Sequence, residues 1–377
     1  MPKKATKKVD QIDKKKGALD KVKPSLYQSA DYIMNLERIL IPWSPGFDEI
    51  LGGGICSGSL TLISGKAKSG KTSSFLQFAA SAQKPQYGGR YWNKVAAEKR
   101  SDKPGRPVFF YNIENRLTKR DLNGIPGLNL DPDKFKLITT TDTNTLYLED
   151  YFENIEETMN LYPGCIIIID SIGALCTKKV GAATHDGQVQ DPAPLLSSYF
   201  MKRIGPLVMA KDIIMLNVLH KVTNVRAQQN QSKTLVTGGT KLRYGANNII
   251  DITYSEIETD SDGKPTGSYI LHLKDETSEL GPPGVTADAY LKFGQGLWEG
   301  YELLLLATAS DVNGLFSIRK NSAWYQFEPE ITGGEQVKIQ GTANAAQYLS
   351  DNPKVYQSLY KAYSTACWSN AALYKSK

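Results

Sequence analysis

Leu60-Thr-Leu-Ile-Ser-Gly65-Lys-Ala-Lys-Ser-Gly70-Lys-Thr-Ser-Ser-Phe75-Leu-Gln-Phe78 is the stretch on which the fold turns. Leu60 to Ser64 is an apolar run of strand length. It enters Gly65-Lys66-Ala67-Lys68-Ser69-Gly70-Lys71-Thr72, which satisfies GxxxxGK[ST] at every fixed position, with Ser73 following. Phe75, Leu76, Phe78 and Ala79 then share one side of a helix. Glycine at 65 and 70 permits backbone conformations that let successive N–H groups line one anion-sized hollow. The helix N-terminus adds positive partial charge. Lys71 is expected to reach the β- and γ-phosphates, and the Thr72 hydroxyl to ligate Mg2+. Strand before and helix after mark the stretch as a nucleoside-triphosphate site.

A chain of 377 residues is long enough for a large core domain and something smaller. With 41% hydrophobic and 22% charged residues it reads as globular. Cys56, Cys165, Cys176 and Cys367 form no CxxC pair, so neither a zinc site nor a disulfide framework is expected, and a reducing, cytoplasmic setting is the simpler reading. No apolar run is long enough to span a bilayer, so no membrane partner is expected. No apolar block follows the N-terminal lysines, so no signal peptide is expected. The net charge is +6, and residues 1–23 alone carry nine lysines against Asp10, Asp13 and Asp20. Such an arm is either simply solvated or drawn to a polyanion, nucleic acid first.

Along the chain, residues 1–24 read as a flexible basic arm. Residues 25–40 carry helical spacing, and 25–45 are taken as an N-terminal helical segment. Residues 85–107, rich in Gly, Pro, Lys and Arg, read as an insertion at the surface. Strands are expected at 108–113, 135–138, 165–169 and 213–219, and near 249–254 and 269–274. Helices are expected at 145–161 and 194–211. The polar stretch 221–237 lacks periodicity and reads as a long mobile loop. Alternating strands and helices predict a doubly wound, mostly parallel α/β sheet. Its ligands belong beyond the carboxyl ends of the strands, where Gly65, Glu114, Asp170 and His220 fall. From about residue 300 the texture changes, giving a core over 46–299 and a smaller C-terminal domain over 300–377.

Asp170, after four isoleucines, can hold hydrated Mg2+ beside the Thr72 hydroxyl. Glu114 ends the neighbouring strand and can orient and deprotonate an attacking water. His220 ends a third and can bond a γ-phosphate. These parts read as an ATPase or a GTPase and leave open what hydrolysis drives.

The assembly resembles the RecA family of strand-exchange recombinases, and within it the phage UvsX-like branch. The resemblance rests on GFDEILGGGI (46–55), GKAKSGKT, YNIEN with Glu114, IIIIDSIGAL with Asp170, NVLHKV with His220, and TGGTKLRYGAN (237–247). It extends to KFGQGLWEG, SAWYQFE and IQGTANAAQYLSDNPKVYQSL near the C-terminus, which ring helicases and clock ATPases lack. It implies a RecA-like P-loop ATPase core with a small C-terminal α+β domain, binding ATP and Mg2+ between protomers of a helical filament on single-stranded DNA. Such a filament pairs with homologous duplex DNA and exchanges strands, served by single-strand-binding and loader proteins. The segment at 25–45 corresponds to the family's polymerisation region.

Two DNA-facing loops correspond to about 177–193 and 221–239. They supply Lys178, Lys179, Lys221, Arg226 and Lys233 for phosphates, with Gly238 and Gly239 where backbone approaches DNA. His220 stands at the γ-phosphate sensor position, so that phosphate contact orders 221–237 and favours DNA binding. Of a pair of basic residues reaching a neighbour's γ-phosphate, the first matches Lys274, but Glu276 occupies the second position. Either the pair has moved or one lysine serves. Asp121 replaces an adenine-stacking tyrosine, which leaves the base contact open. The competing readings are a RecA-fold hexameric helicase or ring motor, and a recombination mediator that binds nucleotide without turning it over.

Overall fold

A computed structural model describes residues 29–89, 105–183, 193–223, 234–236, 240–259 and 263–368. The chain divides into two units, Met1–Glu37 and Arg38–Lys377. In the first, a single turn of helix, α1 (Ala30–Met34), buries none of its residues, and Met34 is 81% exposed. The helix expected over 25–40 therefore shrinks among the described residues to five residues. So short a helix, with no residue buried, is marginal on its own.

In the second unit, β1 (Leu40–Ile41) leads into α2 (Pro45–Leu51), and β2 (Ile55–Cys56) pairs back on β1. Pro45 suits the first helical position, where no N–H is needed, and left-handed Gly52 ends the helix. The phosphate-loop strand is β3 (Ser59–Gly65), followed by α3 (Lys71–Ala82). Then come β4 (Val108–Asn112), α4 (Lys119–Asn123), β5 (Phe135–Ile138), α5 (Leu148–Leu161) and β6 (Ile166–Asp170). They are followed by α6 (Lys178–Gly181), α7 (Ala193–Ala210), β7 (Ile214–Thr223), β8 (Thr234–Val236) and α8 (Thr240–Tyr244). Strands β9 (Asn248–Thr259), β10 (Pro265–Thr277), β11 (Thr286–Lys292) and β12 (Gly296–Leu297) complete the large sheet.

Its order is β12-β11-β10-β9-β3-β7-β6-β4-β5, with β8 attached to β7. From β9 to β5 every pairing is parallel, and from β9 to β12 every pairing is antiparallel. This is the doubly wound, mostly parallel sheet that the sequence implied, lengthened by hairpins. Central strands carry apolar side chains toward both faces, as sheets covered on both sides require. Ile63, Phe110, Ile168 and Leu216 enter one core with α2 and α3; Leu62, Phe109, Ile167 and Met215 enter the other with α5 and α7. Ile166 to Ile169 are at most 1% exposed, and each such side chain contributes about 1.5–3 kcal/mol of burial.

Three departures have local causes. The stretch 221–237 is not loop throughout. Strand β7 continues to Thr223, and Lys221, Val222 and Thr223 pair with Val236, Leu235 and Thr234, so backbone pairing proceeds where side-chain periodicity is lost. The insertion at 85–107 ends in the core, because Arg106 is fully buried and donates to Tyr87 O, Gly164 O, Asp212 O and the Asp212 carboxylate. The hairpin strands expected near 249–254 and 269–274 run several residues longer.

After β12 come α9 (Glu299–Ala307), an antiparallel sheet of β13 (Ile318–Asn321), β14 (Trp324–Phe327) and β15 (Val337–Gln340), and α10 (Pro329–Thr332), which lies between its last two strands in sequence. Helices α11 (Thr342–Asp351) and α12 (Pro353–Cys367) follow. They surround a third core containing Leu303, Phe316, Tyr325, Phe327, Leu349 and Leu359. Polar contacts stitch this part to α2 and α3. Gly46 N and Tyr290 N both donate to Glu302, Gln77 donates to Glu299, Tyr360 to Asp48, and Tyr363 and Trp368 to Glu49.

Candidate active site

Parallel register decides what meets at the carboxyl edge of the sheet. Gly65, the end of β3, lies opposite His220 within β7, and Asn112, the end of β4, lies opposite Asp170, the end of β6, so these residues gather at the carboxyl edge of the sheet. Ile113 N and Glu114 N both donate to Asp170 O (2.9 and 3.2 Å), which sets Glu114 against the end of β6.

Glycine is required at two places in the phosphate loop. A Cβ on Gly65 would lie 2.8 Å from Ser69 Oγ and 3.1 Å from Ile252 Cβ. Gly70 is left-handed at φ 81° and lies against Leu291 and Leu271. Lys66, Ala67 and Lys68 are exposed and Ser69 is buried. Lys71 opens α3, with Thr72 and Ser73 in its first turn. Lys71 is 4% exposed, and its ammonium donates to Lys66 O (2.6 Å) and Gly65 O (3.1 Å). Burial lowers its pKa to about 8, against the pull of the Asp170 and Glu114 carboxylates.

Thr72 Oγ1 donates to Asp170 Oδ2 at 2.5 Å. Burial raises the Asp170 carboxyl, partly offset by this bond. The two oxygen donors suit a hard cation such as Mg2+, so the residues present fit the metal that the resemblance implies.

Burial also raises the Glu114 carboxyl, but the Ser171 bond and the pull of His220 outweigh it, and the net direction is down. Ser171 Oγ donates to Glu114 Oε1 at 2.7 Å, His220 Nε2 bonds the same oxygen, and Arg116 pairs with Oε2 at 2.9 Å. Glu114, Asp170 and His220 each offer a ligand atom within 4.8 Å of the others. The Asp170–Ser171 peptide is cis.

These groups line one wall of a cleft of about 740 Å³. The cleft runs on past Arg116, Arg120, Asp121, Tyr269 and Phe293. Asp121 spends its carboxylate capping α4, accepting from Thr118 N and Thr118 Oγ1. Ser171 and Arg116 were not singled out in the sequence. Their only signal there is adjacency, one residue past Asp170 and two past Glu114.

The remaining candidates stand apart from this cleft. Lys274 is exposed on β10, and its neighbour two along, Glu276, pairs with Arg243 of α8. Lys178 and Lys179 open α6 rather than a loop, because the Thr177 side chain caps that helix, and Lys178 pairs with Asp150 at 2.6 Å. Lys221 pairs with Asp251 at 2.5 Å. Arg226, Lys233, Gly238 and Gly239 lie outside the described residues. All four cysteines are free thiols. No helix among the described residues is long and apolar enough to cross a membrane.

No protein-family model matches the chain. Its similarity to curated proteins is extensive. Protein RecA of Rippkaea orientalis is 30% identical over 312 residues, covering 82% of this chain and 77% of that protein. Protein RecA of Rickettsia bellii is 27% identical over 322 residues, covering 84% and 81%. Protein RecA of Thermotoga petrophila is 27% identical over 305 residues, covering 80% and 75%.

Proposed function

The chain belongs to the RecA family, and from that premise we propose that it is an ATP-dependent DNA recombinase of the phage UvsX-like branch. It forms a helical filament on single-stranded DNA, pairs that strand with homologous duplex and exchanges strands, hydrolysing ATP faster when DNA is bound. It works in the cytoplasm, of the host bacterium if phage-encoded, with single-strand-binding and loader proteins as partners. One observation carries this reading. Lys71, Thr72, Glu114, Asp170 and His220, brought by α3 and by β4, β6 and β7, converge on one cleft.

In this reading residues 65–73 wrap the phosphates with backbone N–H groups, and Lys71 exchanges its carbonyl partners for phosphate oxygens. Thr72 and Asp170 would hold Mg2+, which would supply positive charge against the charge that develops on the phosphates. Glu114, kept ionised at neutral pH, orients the attacking water and takes its proton. His220 senses the γ-phosphate from the root of the 221–236 hairpin. Lys274 reaches the nucleotide of a neighbouring protomer. Lys178, Lys179, Arg226 and Lys233 meet DNA phosphates, and Gly238 and Gly239 admit the strand close to the backbone. Residues 1–24 act as a basic arm, 25–45 in polymerisation, 46–299 as the ATPase core and 300–377 as a small C-terminal domain.

The test is ATP turnover with and without single-stranded DNA, alongside electron microscopy. Stimulation by DNA, its collapse in Lys71→Ala, and open helical filaments are expected. Closed hexamers with directional unwinding would favour a ring motor, and nucleotide binding without turnover a mediator.

A further inference from the structure

Lys221 does not line the cleft, but it is the DNA-binding candidate among the described residues whose side chain turns in against the strands that carry the nucleotide site. Its ammonium donates to Asp251 Oδ2 at 2.5 Å, and the other carboxylate oxygen, Oδ1, accepts from Ser64 Oγ at 2.8 Å. Asp251 is 7% exposed and Ser64 fully buried. The strand register explains the geometry. Ser64 on β3 lies opposite Asp251 on β9, and Gly65, the next residue, lies opposite His220 on β7. Lys221 follows His220, so its side chain crosses the end of the middle strand to reach the third. It straps β7 to β9 over the point where β3 becomes the phosphate loop.

A half-buried ion pair contributes little net stability, so stability alone does not account for this one. Its position suggests another use. On one side the strap begins beside His220, which bonds Glu114. On the other it ends on Ser64, next to Gly65, whose carbonyl accepts from Lys71. Beyond Lys221 the backbone pairs with Val236 and enters the segment read as DNA-binding.

We propose that Lys221 is a positioning residue rather than a phosphate ligand. Through Asp251 and Ser64 it ties the paired ends of β7 and β8 to the phosphate-loop strand, so that DNA bound beyond them changes turnover at the nucleotide. This rests on the recombinase reading above. A lysine whose charge is already committed to an internal carboxylate has little left for DNA, and one that bridges two strand ends passes on a shift of either.

The experiment compares wild type with Lys221→Met, Lys221→Arg, Asp251→Asn and the double variant Lys221→Met/Asp251→Asn. It measures ATP turnover with and without single-stranded oligothymidine, and oligothymidine affinity over a range of salt. In Lys221→Met the ratio of DNA-stimulated to unstimulated turnover is expected to fall by about fivefold or more, the lower end of ordinary coupling between sites. The loss falls on the stimulated kcat rather than on the KM for ATP, and Lys221→Arg restores the ratio. The log–log salt slope stays as in wild type, whereas removing a phosphate ligand makes it shallower by about 0.7. Asp251→Asn, nearly equal in volume, shows the same loss without touching the lysine, and the double variant is no worse than either single one. An unchanged ratio in Lys221→Met or Asp251→Asn overturns the proposal, as does a shallower slope in Lys221→Met. Wild type that is unstimulated by DNA rejects the recombinase reading itself, whereas stimulated wild type with unaffected variants rejects only the strap.

Discussion

Glu302 shows how a single buried carboxyl sets a pH dependence. It is 1% exposed, and burial raises its pKa to about 7 although Gly46 N and Tyr290 N favour the charged form. A folded-state pKa above the unfolded one means the native chain binds more protons, so stability falls as pH rises. The contribution is intact below about 4.5, is lost progressively up to about 7, and amounts to roughly 3 kcal/mol at about 1.4 kcal/mol per pKa unit. Asp48 and Glu299 are raised by burial too and act in the same direction. Thermal melts from pH 5 to 7.5 are expected to show falling stability, and Glu302→Gln to flatten part of the slope. Arg106→Met is expected to cost about 3–5 kcal/mol in urea titrations, because Asp212 stays buried without its guanidinium. Neither role was readable in the sequence. Glu302 looks like any acid in a first helical turn, and Arg106 sits in a stretch whose composition says surface. Asp170, Glu114 and His220 were legible because each follows an apolar run near the carboxyl edge of the sheet: Asp170 ends β6, Glu114 lies two residues past β4, and His220 stands three before the end of β7.

Helix α12 is held to α2 by side-chain donors from Tyr360, Tyr363 and Trp368 to Asp48 and Glu49. Tyr360→Phe is expected to cost about 1–3 kcal/mol by leaving a buried acceptor short of a partner. Hydrogen exchange should show the amides of 353–367 opening more often. The parallel strands were legible as continuous apolar runs ending in polar residues, because burial on both faces leaves no alternation. Strands β8 and β11–β15 were not. They are short or half-exposed, and pairing rather than composition defines them. The ends of the stretch 221–237 became strand for the same reason, since backbone hydrogen bonds need no apolar side chain. Helix α1 erred the other way, with a fitting pattern but no buried residue.

Across the second unit, the acids and aromatic donors that join α9 and α12 to α2 and α3 imply that Arg38–Lys377 melts together. Differential scanning calorimetry is expected to show one main transition, and two well-separated ones would contradict that. The charge distribution makes a separate prediction. If residues 1–24 meet DNA phosphates, their removal makes the log–log salt dependence of single-strand affinity shallower by about 0.7 for each phosphate no longer neutralised.

The strand order also bears on the birth of the protein. Strand β3 is flanked by β7 and β9, whose partners for Ser64 and Gly65 are Leu219, His220, Asp251 and Ile252. None of these exists when residue 72 leaves the ribosome. The cradle for triphosphate thus waits on roughly 180 further residues of synthesis, about 10–40 s at ordinary elongation rates. Until then the nascent segment carries an apolar strand without the partners that bury it.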